Sequence, residues 1–162
     1  MNAATEFDLG PLTWVKGEID LALTRAVEAL VQHELNGDAT QLRFCRAHVH
    51  QVNGALSIVG LDGVTQVTES LEALLSALEE QRLQFTAEIS ITLTQAIAAI
   101  RKYLDDLVAG EPNQPLRLFL VYSVLATARG LSSCNPADLF FPDLSLRPPK
   151  RSVPVAPLSA EQ

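Results

Sequence analysis

The sequence has too little positive charge for a protein that binds nucleic acid. Its 162 residues include 12 Lys and Arg against 19 Asp and Glu, which gives a formal net charge of -7. Proteins that bind phosphate backbones cluster Lys and Arg on one surface. We therefore expect no nucleic-acid partner.

Cysteine is also scarce. The chain has two cysteines, Cys45 and Cys134, which lie far apart and lack the spacing of a zinc site. Cys45 falls on the apolar face of a predicted helix, so we interpret it as a small core residue. A chain of this kind is typical of the reducing cytoplasm, and nothing in its sequence predicts a metal or another cofactor.

Long hydrophobic runs are absent. The longest apolar stretch, from Leu118 to Ala126, falls well short of the ~20 apolar residues that cross a membrane. The first eight residues show neither the basic region nor the apolar region of a signal peptide. The sequence therefore predicts no membrane span and no signal peptide.

Helical spacing dominates what is present. Apolar residues recur every three or four positions, the spacing of one helix face, over residues 11–35, 38–60, 61–83, 86–109 and 115–129. Asp38 and Thr86 suit helix N-caps, and Gly37 and Gly130 suit helix ends. Short turns between these segments predict an all-α fold, an up-and-down four-helix bundle with an additional C-terminal helix.

Three finer expectations follow from the same spacing. The fifth segment is apolar on most sides and should be well covered by its neighbours. Residues 136–141 should form a short helical turn whose aromatic side chains pack back on the bundle. Gly60 and Gly63 mark either a break between two helices or a close crossing, and the sequence leaves both open.

Composition divides the chain into three parts. Residues 1–10 form an N-terminal extension, and residues 11–145 form the helical domain. Residues 146–162 are rich in proline, carry a small basic cluster and show no periodicity, which is typical of an extended linker. We therefore expect the chain to be the N-terminal piece of a longer protein.

One histidine lies on the side of the second segment that faces away from its apolar seam. At about 100° per residue, His50 points roughly 130° away from the centre of the buried direction. Gly54 follows one turn later, although a glycine inside a helix costs ~1 kcal/mol relative to alanine. The exposed line consists of Arg43, Arg46, His50, Gly54 and Ser57, and Asn53 flanks the apolar stripe.

An exposed imidazole in this setting favours phosphoryl chemistry. Its free nitrogen lone pair can attack a phosphoryl group and hold it as a phosphoramidate. Gly54 leaves room beside the ring, and the two arginines can steer an acidic active site towards it. The alternatives are a histidine that is simply solvated and a glycine that marks a helix crossing.

The other polar side chains favour structural roles. His48 and His50 lie about 200° apart on a helix and cannot chelate one metal ion. We interpret His48 as half-buried and structural, and His33 as a residue that suits a helix C-terminus. A solvated acidic face is predicted for Glu69, Glu72, Glu79 and Glu80.

The stretch from His50 to Gly60 resembles the signature of histidine phosphotransfer (Hpt) domains. That signature has a phospho-accepting histidine, a lysine three residues on, a glycine four on, and an apolar residue and a glycine nine and ten on. The matching residues are His50, Gly54, Val59 and Gly60, and Leu71-Glu72 resembles a Leu-Glu pair of the next helix. The chain departs from the family at Asn53, where a lysine usually supports the phosphate.

Further blocks are similar to the N-terminal module of the CheA-like hybrid histidine kinases that control type IV pili, the ChpA/PilL type. These blocks are residues 12–20, 103–110, 115–116, 128–130 and 139–145. The related FimL type is similar to a version of the module that cannot be phosphorylated.

This resemblance implies a helical bundle in a phosphorelay upstream of twitching motility, with His50 as the phosphoryl acceptor. Its implied partners are a response-regulator receiver domain, a histidine kinase domain and a pilus-hub scaffold protein. It also implies an alternative, a degenerate module that docks a partner without phosphotransfer. A plain helical dimerisation unit is a third hypothesis.

Overall fold

The structure is a computed structural model that describes residues 8–140. In this range the chain forms five α-helices: α1 (Gly10–Asn36), α2 (Ala39–Val59), α3 (Asp62–Glu79), α4 (Ala87–Val108) and α5 (Phe119–Ala128). Two short 3-10 turns span Pro115–Leu118 and Pro136–Leu139. The predicted linker at 146–162, and residues 1–7 of the predicted extension, lie outside the described residues.

The first four helices form an antiparallel bundle. Helix α1 packs against α2 and α4, and α3 packs against the same two helices, so neighbours along the chain are neighbours in space. The connection from α1 to α2 is two residues long, as is that from α2 to α3. Helix α5 packs outside this ring against α3 and α4. The prediction of a four-helix bundle with an additional C-terminal helix is confirmed.

The helix ends show the local chemistry that the sequence predicts. The Asp38 side chain accepts a hydrogen bond from the Thr40 backbone N–H at 2.9 Å, and the Thr86 hydroxyl accepts one from the Ile89 N–H at 3.2 Å. Each satisfies a backbone donor that the first helical turn leaves unpaired. Gly37 ends α1 in the left-handed region, at φ 65°.

Gly60 and Gly63 have different roles. Gly60 ends α2 at φ 86°, a conformation that favours glycine. Gly63 lies inside α3, where a Cβ atom would sit 2.2 Å from Cγ of Pro115. The break between two helices is therefore present at Gly60, and the close contact at Gly63 is with a short 3-10 turn and not with a crossing α-helix. Together they fix how α3 leaves α2 and how closely the 115–118 turn approaches it.

The apolar faces of α1 to α4 meet in one core, to which α5 adds Tyr122 and Leu125. Cys45 is fully buried there, and burial raises the pKa of its thiol to about 12. The thiol is therefore protonated and inert, as a core residue should be. None of the described helices is long and apolar enough to cross a membrane.

Helix α3 ends earlier than the predicted segment. The predicted segment runs to Leu83, whereas the helix ends at Glu79 and Gln81 adopts a left-handed φ of 59°. Leu83 still packs against the core from the loop. The apolar steps of three and four end at Leu78, and Leu83 follows five residues later, so the predicted helix end was wrong by four residues.

The expectation that the fifth segment is well covered was wrong. It packs on the bundle along one side only, and Leu120 remains 76% exposed. Leu116 and Val124 are exposed on the same segment. In the following turn Leu139 is buried and Phe140 is exposed, so an aliphatic side chain packs back where an aromatic one was expected. Phe141 lies outside the described residues.

Candidate functional site

His50 lies near the middle of α2 with its side chain 75% exposed. Its ring atom Nδ1 is 2.9 Å from Oε1 of Glu72 on α3. An ionised carboxylate can only accept a hydrogen bond, so Nδ1 is the ring nitrogen that carries the proton. This tautomer leaves the lone pair on Nε2, the nitrogen at the far side of the ring.

Asn53 contacts the same carboxylate. Its Nδ2 donates to Oε2 of Glu72 at 2.9 Å, so the two oxygens of Glu72 serve two neighbouring residues of α2. Asn53 is buried, and its Oδ1 has no hydrogen-bond partner among the described residues. Turning the amide over would place two acceptors together, which fixes its orientation. A buried acceptor without a partner costs about 1–3 kcal/mol.

The surface beside the histidine ring is open. Gly54 and Ser57 are both exposed on α2. A Cβ atom added at Gly54 would meet nothing within 4 Å. No described helix therefore crosses at Gly54, and the structure excludes the crossing alternative at this position. The missing side chain leaves space for a phosphoryl group and for a partner's surface.

A family model, that of the Hpt domain, matches residues 12–108, more than half of the chain. The chain belongs to the Hpt domain family. The match covers the four helices of the bundle, except the first two residues of α1, and ends where α4 ends. Histidine phosphotransfer in two-component phosphorelays is the activity of this family. No curated protein matches the chain.

A second carboxylate of the Hpt domain holds the two arginines of the predicted exposed line. Arg43 is exposed, whereas Arg46 is half-buried, so the prediction of exposure was wrong for Arg46. Oε2 of Glu79 accepts from Nε of Arg46 at 2.5 Å, and Oε1 lies 3.4 Å from Nε of Arg43. The hydrogen bond from Arg46 lowers the pKa of the Glu79 carboxyl and raises the pKa of the guanidinium. One negative charge is thus shared between two positive ones, which leaves this end of the line with a smaller positive charge than the sequence indicates.

The acidic residues of α3 do not form a uniformly solvated face. Glu69 and Glu80 are exposed, as expected. The side chains of Glu72 and Glu79 are each only 20% exposed and accept hydrogen bonds from α2, so the prediction was wrong for these two. No role at the site was predicted for Glu72, although the resemblance of Leu71-Glu72 to the Hpt family's Leu-Glu pair was a signal for it.

The other two histidines of the Hpt domain have structural surroundings. His48 is half-buried, as predicted. His33 lies in the last turn of α1, where Nδ1 is 2.8 Å from the Asp38 carbonyl oxygen and the ring packs edge-on against Phe85. His50 is therefore the one histidine of the described residues that is both exposed and held by a carboxylate.

Proposed function

We propose that His50 accepts a phosphoryl group on Nε2 and passes it to the aspartate of a response-regulator receiver domain. The observation that carries the proposal is the pairing of Nδ1 with Glu72 on a ring that is 75% exposed. The pairing makes Nε2 the nucleophile, and the exposure lets a partner's active site reach it.

The chemistry balances with the groups at this site. The Nε2 lone pair attacks phosphorus, and the bond from phosphorus to the donor's oxygen breaks with its electron pair staying on that oxygen. The ring keeps its Nδ1 proton and gains positive charge, which the Glu72 carboxylate stabilises across 2.9 Å. Transfer onwards is the reverse attack, by a carboxylate oxygen of the receiver. Catalysis of such transfers is mostly positioning and charge stabilisation, and the partner's active site supplies the remainder.

The surroundings of His50 fit a docking surface. Gly54 and Ser57 are exposed on one side of the ring. On the other side Arg43 is exposed and Arg46 is half-buried against Glu79. Asn53 supports Glu72 from within and contributes no charge. A receiver's acidic site can approach over Gly54 without meeting a side chain there.

The direct test is phosphate acceptance. The protein is incubated with a receiver domain charged by acetyl phosphate and, separately, with a histidine kinase domain and ATP. We expect acid-labile phosphate on the wild type and on His48→Gln, and none on His50→Gln. His48→Gln is a matched control because it removes a half-buried imidazole two residues away. Labelling that survives in His50→Gln would refute the assignment.

One observation favours a second function, docking without phosphotransfer. Asn53 stands where the family usually has a lysine, and its amide points inwards to Glu72. The site therefore lacks the positive charge that this lysine would bring. In this alternative a receiver domain binds but receives nothing.

Two variants separate the alternatives. Binding of a receiver domain to the wild type and to Arg46→Glu is measured by calorimetry beside the transfer assay. Binding that Arg46→Glu weakens, with no transfer by the wild type, supports docking alone. If instead the site transfers slowly for want of charge, Asn53→Lys should speed the transfer. An unchanged rate in Asn53→Lys would count against the missing charge as the cause.

We further propose that this Hpt domain works in the cytoplasm, in a relay that controls type IV pili. The support is the similarity of residues 12–20, 103–110 and 139–145 to the ChpA/PilL-type module. The expected partners are the kinase domain of that system, its receiver domains and a pilus-hub scaffold protein. Chromosomal His50→Gln should reduce twitching motility in a piliated host. Normal twitching would contradict this placement, with His48→Gln as the control.

A further inference from the structure

Asn53 occupies a position that its contribution to folding does not explain. It is a buried residue at the edge of the α2 seam, between Val52 and Leu56, both of which are fully buried. One end of its amide is bonded to Glu72, and Oδ1 has no partner among the described residues. An apolar side chain of similar size would avoid the unpaired oxygen. The useful part of this amide is therefore its donor.

We infer that Asn53 is a positioning residue that holds Glu72 in the rotamer that fixes the tautomer of His50. Its Nδ2–H group binds Oε2, which leaves Oε1 pointing at Nδ1 of His50, with both distances at 2.9 Å. A carboxylate held at one oxygen has lost most of its freedom to turn away. The other oxygen is therefore preorganised to accept the Nδ1 proton.

Besides His50, Asn53 is the described residue that holds the Glu72 carboxylate. Glu72 lies on α3, and its hydrogen bonds within the described residues are those to His50 and Asn53. The arginines of the exposed line bind Glu79, seven residues further along α3. His50 is largely exposed and can exchange Glu72 for water. The buried amide is the less mobile of the two donors, so it is the one that positions the carboxylate.

This inference deepens the proposed phosphotransfer through His50 and rests on it for its consequence, but its first readout needs no phosphoryl group. Proton–nitrogen correlation spectra of the intact chain report which ring nitrogen of His50 carries the proton. The wild type should show mainly the Nδ1–H form. In Asn53→Leu, which fills the same space without a donor, the ratio of Nδ1–H to Nε2–H should fall roughly two- to tenfold, the effect of one hydrogen bond.

Three further variants keep the readout specific. Asn53→Gln retains an amide and should recover part of the Nδ1–H form. Gln51→Ala, an exposed neighbour of His50 on the same helix, should leave the ratio unchanged. Asn53→Ala guards against a steric effect of leucine and should shift the ratio in the same direction. Helical circular dichroism checks that each variant folds.

The kinetic readout links the positioning to transfer. With a charged receiver domain as donor, Asn53→Leu should lower the rate at saturating donor roughly two- to tenfold and leave the half-saturating concentration unchanged. If Asn53 had a purely structural role, its replacement would change neither the tautomer ratio of His50 nor the rate at saturating donor relative to the half-saturating concentration.

The outcomes are distinct. An unchanged tautomer ratio in Asn53→Leu and Asn53→Ala overturns the inference. So does an equal change in Gln51→Ala. A shifted ratio in a protein that accepts no phosphate would refute the proposed function and leave the positioning of Glu72 by Asn53 established.

Discussion

Two carboxylates of α3 each bind a pair of residues on α2. The two clusters have the same arrangement across the helices but different chemistry. The Glu79 carboxylate accepts hydrogen bonds from Arg43 and Arg46. Seven residues away along each helix, the Glu72 carboxylate accepts hydrogen bonds from His50 and Asn53. Both carboxylates have side chains that are 20% exposed. Both pairs are spaced three residues apart, as the helical repeat requires.

The difference lies in what the carboxylate holds. Guanidinium groups are permanently charged donors, so the Glu79 cluster pairs charges across the two helices and offers no nucleophile. Imidazole has one nitrogen to spare, so the Glu72 cluster leaves a nucleophile exposed. The same cross-helix pairing thus gives a structural contact at one place and a reactive site at the other. The presence of the histidine makes the Glu72 cluster the reactive one.

The largest expected difference between the two clusters is in the rate of phosphoryl transfer. Glu72→Gln removes the negative charge behind the ring, and we expect transfer from a charged receiver to fall roughly 10- to 100-fold, the value of a charge-assisted hydrogen bond. Glu79→Gln makes the identical change one heptad away and should alter the rate by less than about threefold. Single-turnover experiments measure the transfer rate of both variants. An equal fall in rate in both would show that the Glu72 and Glu79 clusters do not differ in their role in transfer.

A smaller effect should separate the two exposed positions beside the clusters. Ala47 lies seven residues before Gly54 and is exposed like it. Gly54→Ala should stabilise the helix by up to ~1 kcal/mol, yet slow transfer roughly tenfold, because the methyl group fills space that the partner needs. Ala47→Gly should destabilise by a similar amount and leave transfer alone. Urea unfolding and the transfer assay check both variants. Faster transfer in Gly54→Ala would contradict the proposal that the partner needs the open space at Gly54.

The smallest effect is the dependence of stability on pH at the Glu79 cluster. Arg46 lowers the pKa of the Glu79 carboxyl below its ordinary value of 4.5. The pair therefore stabilises the fold fully above that value, and the contribution is lost as the pH falls through the lowered pKa. The wild type should exceed Glu79→Gln by about 0.2–1 kcal/mol at neutral pH. Urea unfolding should show the gap closing in acid, and a gap that widens there would have the wrong sign.

The sequence predicts the bundle well because each helix carries its own evidence. Apolar residues at steps of three and four identify the buried faces, and Asp38 and Thr86 cap helices through contacts with residues two or three positions away. These features are local, so the chain shows them without its fold. The exposure of His50 follows from the same spacing.

The partners of His50 and of the arginines depend on more than one helix. The register between α2 and α3 decides that Glu72 faces His50 and that Glu79 faces Arg46, and the two-residue connection at Gly60 and Leu61 sets this register. Neither helix reveals it alone. The prediction that α5 is well covered was wrong for a similar reason, because the hydrophobicity of Leu120 does not show how many neighbours the helix has.

Phosphorus–nitrogen correlation spectra of the labelled protein test most directly whether Nε2 of His50 is the atom that takes the phosphoryl group. After incubation with a charged receiver domain, we expect one phosphohistidine. Its phosphorus is bonded to Nε2 of His50, and a proton remains on Nδ1. Phosphorus bonded to Nδ1 or to His48 would contradict this assignment. So would a wild-type protein that carries no phosphorus after treatment with an active donor.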